Sequence, residues 1–121
     1  MFVNGVDWIM IVLNVGGVYF TTSYETLNMQ ESFFSGMIRS NSHNFFFIDR
    51  DPTHFRHILN ALRGSPSYPD TDAGLHELAN EAEYYAMFEF KKDILSKQKV
   101  MNTSSITNIM SQMLHRMHSM N

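Results

Sequence analysis

The sequence predicts an α+β domain in which an N-terminal β-hairpin and a third strand are covered by a cluster of helices. Three observations carry that expectation. The bulky run WIMIVLNV breaks at Gly16-Gly17 and resumes as VYF, the pattern of two strands joined by a tight turn. A second apolar run, FFFI at residues 45–48, is too short for a helix and is bounded by polar residues. From Phe55 onward apolar residues recur at spacings of three and four, so helices follow strands.

Taken in order, residues 9–22 read as the hairpin. Thr22-Ser23-Tyr24-Glu25 matches a capping box, which starts a helix near Ser23. ESFFSGMIRS continues as a second short helical piece, with Phe33, Phe34, Met37 and Ile38 on one side, and SNSHN is a loop. FFFID is the third strand, and its unbroken apolar character predicts burial on both faces. Asp51-Pro52 reads as a helix start, with Asp51 as N-cap and Pro at the first helical position, where its missing N–H costs nothing. Phe55, Ile58, Leu59 and Leu62 form the inner face of that helix, and Gly64 stops it. GSPSYPDTD is a loop. Asp72 is expected to cap a helix carrying Leu75, Leu78, Ala79, Ala82, Tyr85 and Phe88, with Ile94 and Leu95 in a last segment.

The domain is expected to span residues 1–99. From residue 100 to 121 the composition shifts to Met, Ser, Asn and Thr, with five of the ten methionines. Ile106, Ile109, Met110, Met113, Leu114 and Met117 keep helical spacing there, with Ser104 or Ser105 as cap. This tail reads as a frayed end or as an amphipathic helix that needs a partner surface.

At 121 residues the chain can bury one real core. A net charge of −3 offers no cationic field for nucleic acid or an anionic membrane, so neither is expected as a partner. With no cysteine there is no disulfide, thiol nucleophile or thiolate metal site. The longest apolar run near the N-terminus, Trp8 to Leu13, is far below the ~20 residues of a membrane span and does not read as a signal peptide. A cytoplasmic location is the default, with the nucleus as the alternative.

Catalytic patterns are absent. NVGG lacks the third glycine and the Lys-Ser/Thr of a phosphate loop, and no serine sits in a nucleophile elbow. His54 and His57, like His115 and His118, stand one helical turn apart, which can in principle ligate a metal. Without a third ligand they read as solvent-facing, and no metal or cofactor is expected. Glu81 and Glu83 read as a solvated helix face.

Three ordered blocks, VLNVGGVYFTTSYETL, FFFIDRDPTHFRHILNALR and ELANEAEYYAM, resemble the BTB/POZ domain of the potassium-channel tetramerisation (T1, KCTD-type) group over about residues 10–95. The resemblance implies an α/β BTB/POZ oligomerisation module without a catalytic centre. It would assemble as a homo-tetramer or homo-pentamer and serve as a cullin-3 ubiquitin-ligase adaptor or related scaffold. A pure assembly scaffold, or a dominant-negative partner of other BTB proteins, is the alternative. The interfacial zinc of channel members is held by Cys and His, so it is not implied here. Neither membrane segments nor a substrate-recruiting domain is expected after the domain, which would place it in the soluble branch. Where cullin-binding BTB domains outside this branch often show a hydrophobic-x-Glu motif, this chain has Met37-Ile38-Arg39-Ser40.

The resemblance also gives a role to the charges between the third strand and its helix. Asp49, Arg50 and Asp51, with Arg56, Asn60 and Arg63 on the outward face of the helix, would form a polar subunit interface that sets register between copies. The local alternative leaves Asp51 as a cap and the other charges facing water.

Overall fold

The computed structural model describes residues 2, 3, 6, 7 and 9–119. The short strands β1 (Phe2–Val3) and β2 (Val6–Asp7) pair with each other, antiparallel. The main sheet begins with β3 (Met10–Val15) and β4 (Val18–Ser23), the expected hairpin. Its two-residue turn needs positive φ at both positions, and glycine supplies it at Gly16 (56°) and Gly17 (101°). The Asn14 side chain accepts from the Gly17 amide and fixes the turn. A side chain at Gly16 would run into the backbone oxygen of Arg50, so the turn tip is packed on the loop after the third strand.

After β4 the chain makes two short helices, α1 (Tyr24–Leu27) and α2 (Phe33–Ser40), and returns as β5 (Phe45–Ile48). The sheet order is β4-β3-β5, with β5 parallel to β3. Helices α3 (Phe55–Leu62), α4 (Asp72–Tyr84) and α5 (Phe88–Ser119) complete the domain.

One face of the sheet carries the core. Ile11, Leu13 and Val15 alternate inward from β3 and meet Leu27, Phe34, Phe55, Ile58, Leu59, Leu62, Leu75 and Leu78. Tyr85 lies at the centre, stacked on Phe34 with ring centroids 4.7 Å apart and edge-on to Phe55 at 5.6 Å. The inner faces expected for α3 and α4 are the buried ones, and Gly64 ends α3 with φ of 83°.

Several local expectations are corrected. Ser23, not Thr22, caps α1 by accepting from the Thr26 amide; Thr22 lies on the inward face of β4, where its hydroxyl is buried. Asp51 does not cap α3: its carboxylate accepts from the amide and hydroxyl of Thr53, closing a turn, and the helix starts later, after His54. Thr71 rather than Asp72 caps α4, its hydroxyl accepting from the Gly74 amide. Phe88 is not on α4: that helix ends at Tyr84, Ala86 takes φ of 56°, and Phe88 opens α5, exposed. In α5, Ile94 is buried and Leu95 faces outward. Ser104 and Ser105 cap nothing, because α5 runs through them without a break.

Candidate functional site

The third strand forms as expected, but its expected burial on both faces fails in an informative way. On β5 only Ile48 is buried; Phe46 is half-buried, while Phe45 and Phe47 are 48% and 62% exposed. The helices cover one side of the sheet, so side chains that alternate to the other side meet solvent. Register makes that side a continuous surface: Val12 stands between Thr21 and Phe45, and Asn14 between Tyr19 and Phe47. Tyr19, 64% exposed, lies edge-on to Phe45 with centroids 5.9 Å apart, and Met10 extends the patch. Exposed aromatic and methionine side chains grouped on a rigid sheet are what protein interfaces are enriched in. Sequence reasoning missed this surface because the FFFI run carries no alternation. The available signal was architectural, since too few helices remain to cover two faces of a sheet.

A polar cleft lies where the loop after β5 meets α4. Arg50 turns inward: its Nε donates to Glu81 Oε1 at 3.2 Å, its terminal nitrogen to Glu81 Oε2, and its guanidinium carbon sits 4.1 Å from the Tyr84 ring centroid. The Glu81 hydrogen bond holds the guanidinium protonated more firmly than usual. Glu81 is therefore no solvated residue, and Glu83 is held by Lys91 at 3.0 Å. His54 is also not solvent-facing. Its Nε2 lies 2.9 Å from Glu77 Oε1, and its ring stacks at 6.2 Å on His57, whose Nδ1 lies 2.7 Å from Ser67 Oγ. Burial, then the nearby His54 and Arg56 charges, push the His57 imidazole below its usual value. The cleft has a volume of about 280 Å³ and is lined by Arg50, Asp51, His54, Glu77 and Glu81, among others.

The six residues expected at an interface differ in how they are engaged within the chain. Arg50 and Asp51 are engaged within the chain, the latter's carboxyl drawn below the usual range by the Thr53 hydroxyl and amide. Asn60 donates to Ser67 and accepts from Arg63, whose other nitrogen reaches the Thr21 carbonyl at 3.5 Å. Asp49 and Arg56 are exposed. The tail residues Ile106, Ile109, Met110, Met113, Leu114 and Met117 are all on α5 and more than half exposed.

Among the described residues no three metal-ligating side chains of the His, Cys, Asp or Glu type come together, and no helix is long and apolar enough to cross a membrane. The family model for the BTB/POZ domain matches residues 11–95. The chain is 41% identical over 101 residues to FH protein interacting protein FIP2 of Arabidopsis thaliana, covering 74% of this chain and 33% of that protein. It is 34% identical over 110 residues to SH3KBP1-binding protein 1 of Rattus norvegicus, covering 84% and 15%. An uncharacterized protein of Dictyostelium discoideum is 30% identical over 103 residues, covering 80% and 13%. The chain therefore spans a third or less of these relatives.

Proposed function

The chain belongs to the BTB/POZ domain family of the potassium-channel tetramerisation type, and on that premise we propose that this protein-interaction module assembles with copies of itself into a closed homo-tetramer or homo-pentamer. The observation that supports the reading most directly is the uncovered sheet face bearing Tyr19, Phe45 and Phe47. A ring requires two different patches on each copy. The aromatic sheet face supplies one, and the exposed charges Asp49, Arg56 and Arg63 supply polar groups for the other. Apolar burial gives the affinity, and charges at the rim select register. Light scattering on the purified chain tests it: a mass of four or five copies is expected, and a monomer at tens of micromolar overturns it.

A second reading makes the assembly an adaptor for cullin-3. It is favoured by the family and by two relatives whose names are those of binding proteins. Arg39 stands where cullin-binding BTB domains of other branches often carry Glu, and here it is tied to Glu31 at 2.8 Å and Asn28 at 3.0 Å. Co-precipitation with the cullin N-terminal region decides it. Retention identifies an adaptor; no retention with the assembly intact leaves a scaffold. The cytosol is the proposed compartment, tested by where a fluorescent fusion accumulates.

A further inference from the structure

Beyond Met101, which is half-buried against the core, α5 leaves the domain, and every residue from 102 to 118 is exposed. Its composition gives an isolated helix little support. Asn102, Thr103, Ser104, Ser105, Thr107 and Asn108 are weak helix formers, and no Asp or Glu after residue 99 can make an i,i+4 ion pair. Thr103 and Thr107 bond back to the carbonyls of Lys99 and Thr103, a habit that slightly loosens helices. Such a segment stays helical only if its apolar stripe is covered.

The pattern of that stripe indicates what covers it. Ile106 and Met113 are seven apart, as are Met110 and Met117, and the two series interleave at spacings of four and three. These are the d and a positions of a left-handed coiled coil, with Ile109 and Leu114 flanking them. Arg116 is the only charged residue in the whole tail apart from histidine, so identical helices side by side meet almost no like-charge repulsion, whereas a foreign helix would find a single charge by which to be recognised. Six side chains, each 56–63% exposed, offer on the order of 600 Å² per helix, most of the ~800 Å² per partner of a standard interface.

We propose that residues 103–117 pair in parallel with the same segment of neighbouring copies, forming a coiled bundle at one end of the assembly. The inference rests on the self-assembly reading: cyclic symmetry sends all the tails the same way, and the assembled bodies raise the tails' effective concentration.

The chain has no cysteine, which makes disulfide trapping unambiguous. Met113→Cys, in the seam, and Ser111→Cys, on the opposite side, are made in the full chain and mildly oxidised, with mass followed by light scattering under reducing conditions. In the assembled protein, most of the Met113→Cys chain should run as a covalent dimer and only a trace of the Ser111→Cys chain should. Hydrogen exchange over residues 106–117 should be slow. An assembled protein in which neither or both variants lock, or whose tail exchanges freely, overturns the tail pairing alone. A monomeric chain that does not lock overturns both it and the ring, and a monomeric chain that locks only at Met113→Cys overturns the ring and keeps the pairing.

Discussion

Arg50 and Glu81, thirty-one residues apart, close on each other in a two-pronged ion pair that ties the loop after β5 to α4. The Arg50 side chain is 31% exposed and that of Glu81 14%, so the pair lies between a surface bridge and a buried one. Surface pairs contribute little, but a shielded carboxylate left without its partner is costly. Arg50→Met keeps much of the aliphatic stem, removes the guanidinium that lies over Tyr84 and strands Glu81. It should lower stability by about 1–3 kcal/mol, read from the urea midpoint. A change within about 0.5 kcal/mol, typical of an ordinary surface site, would assign the pair no structural part.

The sheet's two faces predict opposite outcomes for two apolar substitutions. Phe47 is 62% exposed and Leu59 2%. Phe47→Lys should leave stability within roughly 0.5 kcal/mol while shifting the scattering mass toward monomer. Leu59→Ala should cost about 2–5 kcal/mol through lost burial and a cavity. An assembled Phe47→Lys chain at parental concentration moves the interface off the sheet face.

That contrast also shows what was legible beforehand. Where periodicity and geometry agree, as in the Gly16-Gly17 turn and the stripes of α3 and α4, the sequence alone is enough. FFFI misled because apolarity says that a side chain seeks cover, not whether the chain itself provides it; Phe45 and Phe47 are left exposed. The Arg50–Glu81 pair was illegible for a different reason, since no local pattern marks a contact between residues so far apart. Asp51 and Asp72 are plausible caps by type, yet a neighbouring turn or threonine took the role, a competition that short polar side chains settle by fractions of a kcal/mol.

Acid should weaken the fold partly through His57. Its pKa lies below the ordinary 6.5, chiefly because it is partly buried, with His54 and Arg56 adding repulsion and Asp70 opposing them. Between the ordinary value and the lowered one the unfolded chain binds more protons, so stability rises with pH across that window and falls on acidification. The urea midpoint should therefore be lower near pH 5.5 than near pH 7.5, and His57→Gln, which can still hydrogen-bond Ser67, should flatten the slope. An unchanged slope would place the sensitivity at another group. Asp51, drawn below its ordinary value, acts in the same direction but further into acid.

The link between α4 and α5 supplies a stabilising substitution. Ala86 is the only non-glycine with positive φ among the described residues, at 56°. Around it the Met87 amide donates to the Ala82 carbonyl at 2.8 Å and the Ala86 amide to that of Glu83 at 3.0 Å, while Ala82 and Met87 are buried together. These are the two bonds and the apolar contact of a Schellman ending, whose left-handed position favours glycine. Alanine tolerates that backbone at roughly 1–2 kcal/mol, and glycine does not meet the penalty, although it gives part of the gain back as entropy of the unfolded chain. Ala86→Gly should raise stability by about 0.5–1 kcal/mol, seen as a higher urea midpoint with an unchanged denaturant slope. A loss of stability would mean that the Ala86 methyl packs well enough to outweigh its backbone strain.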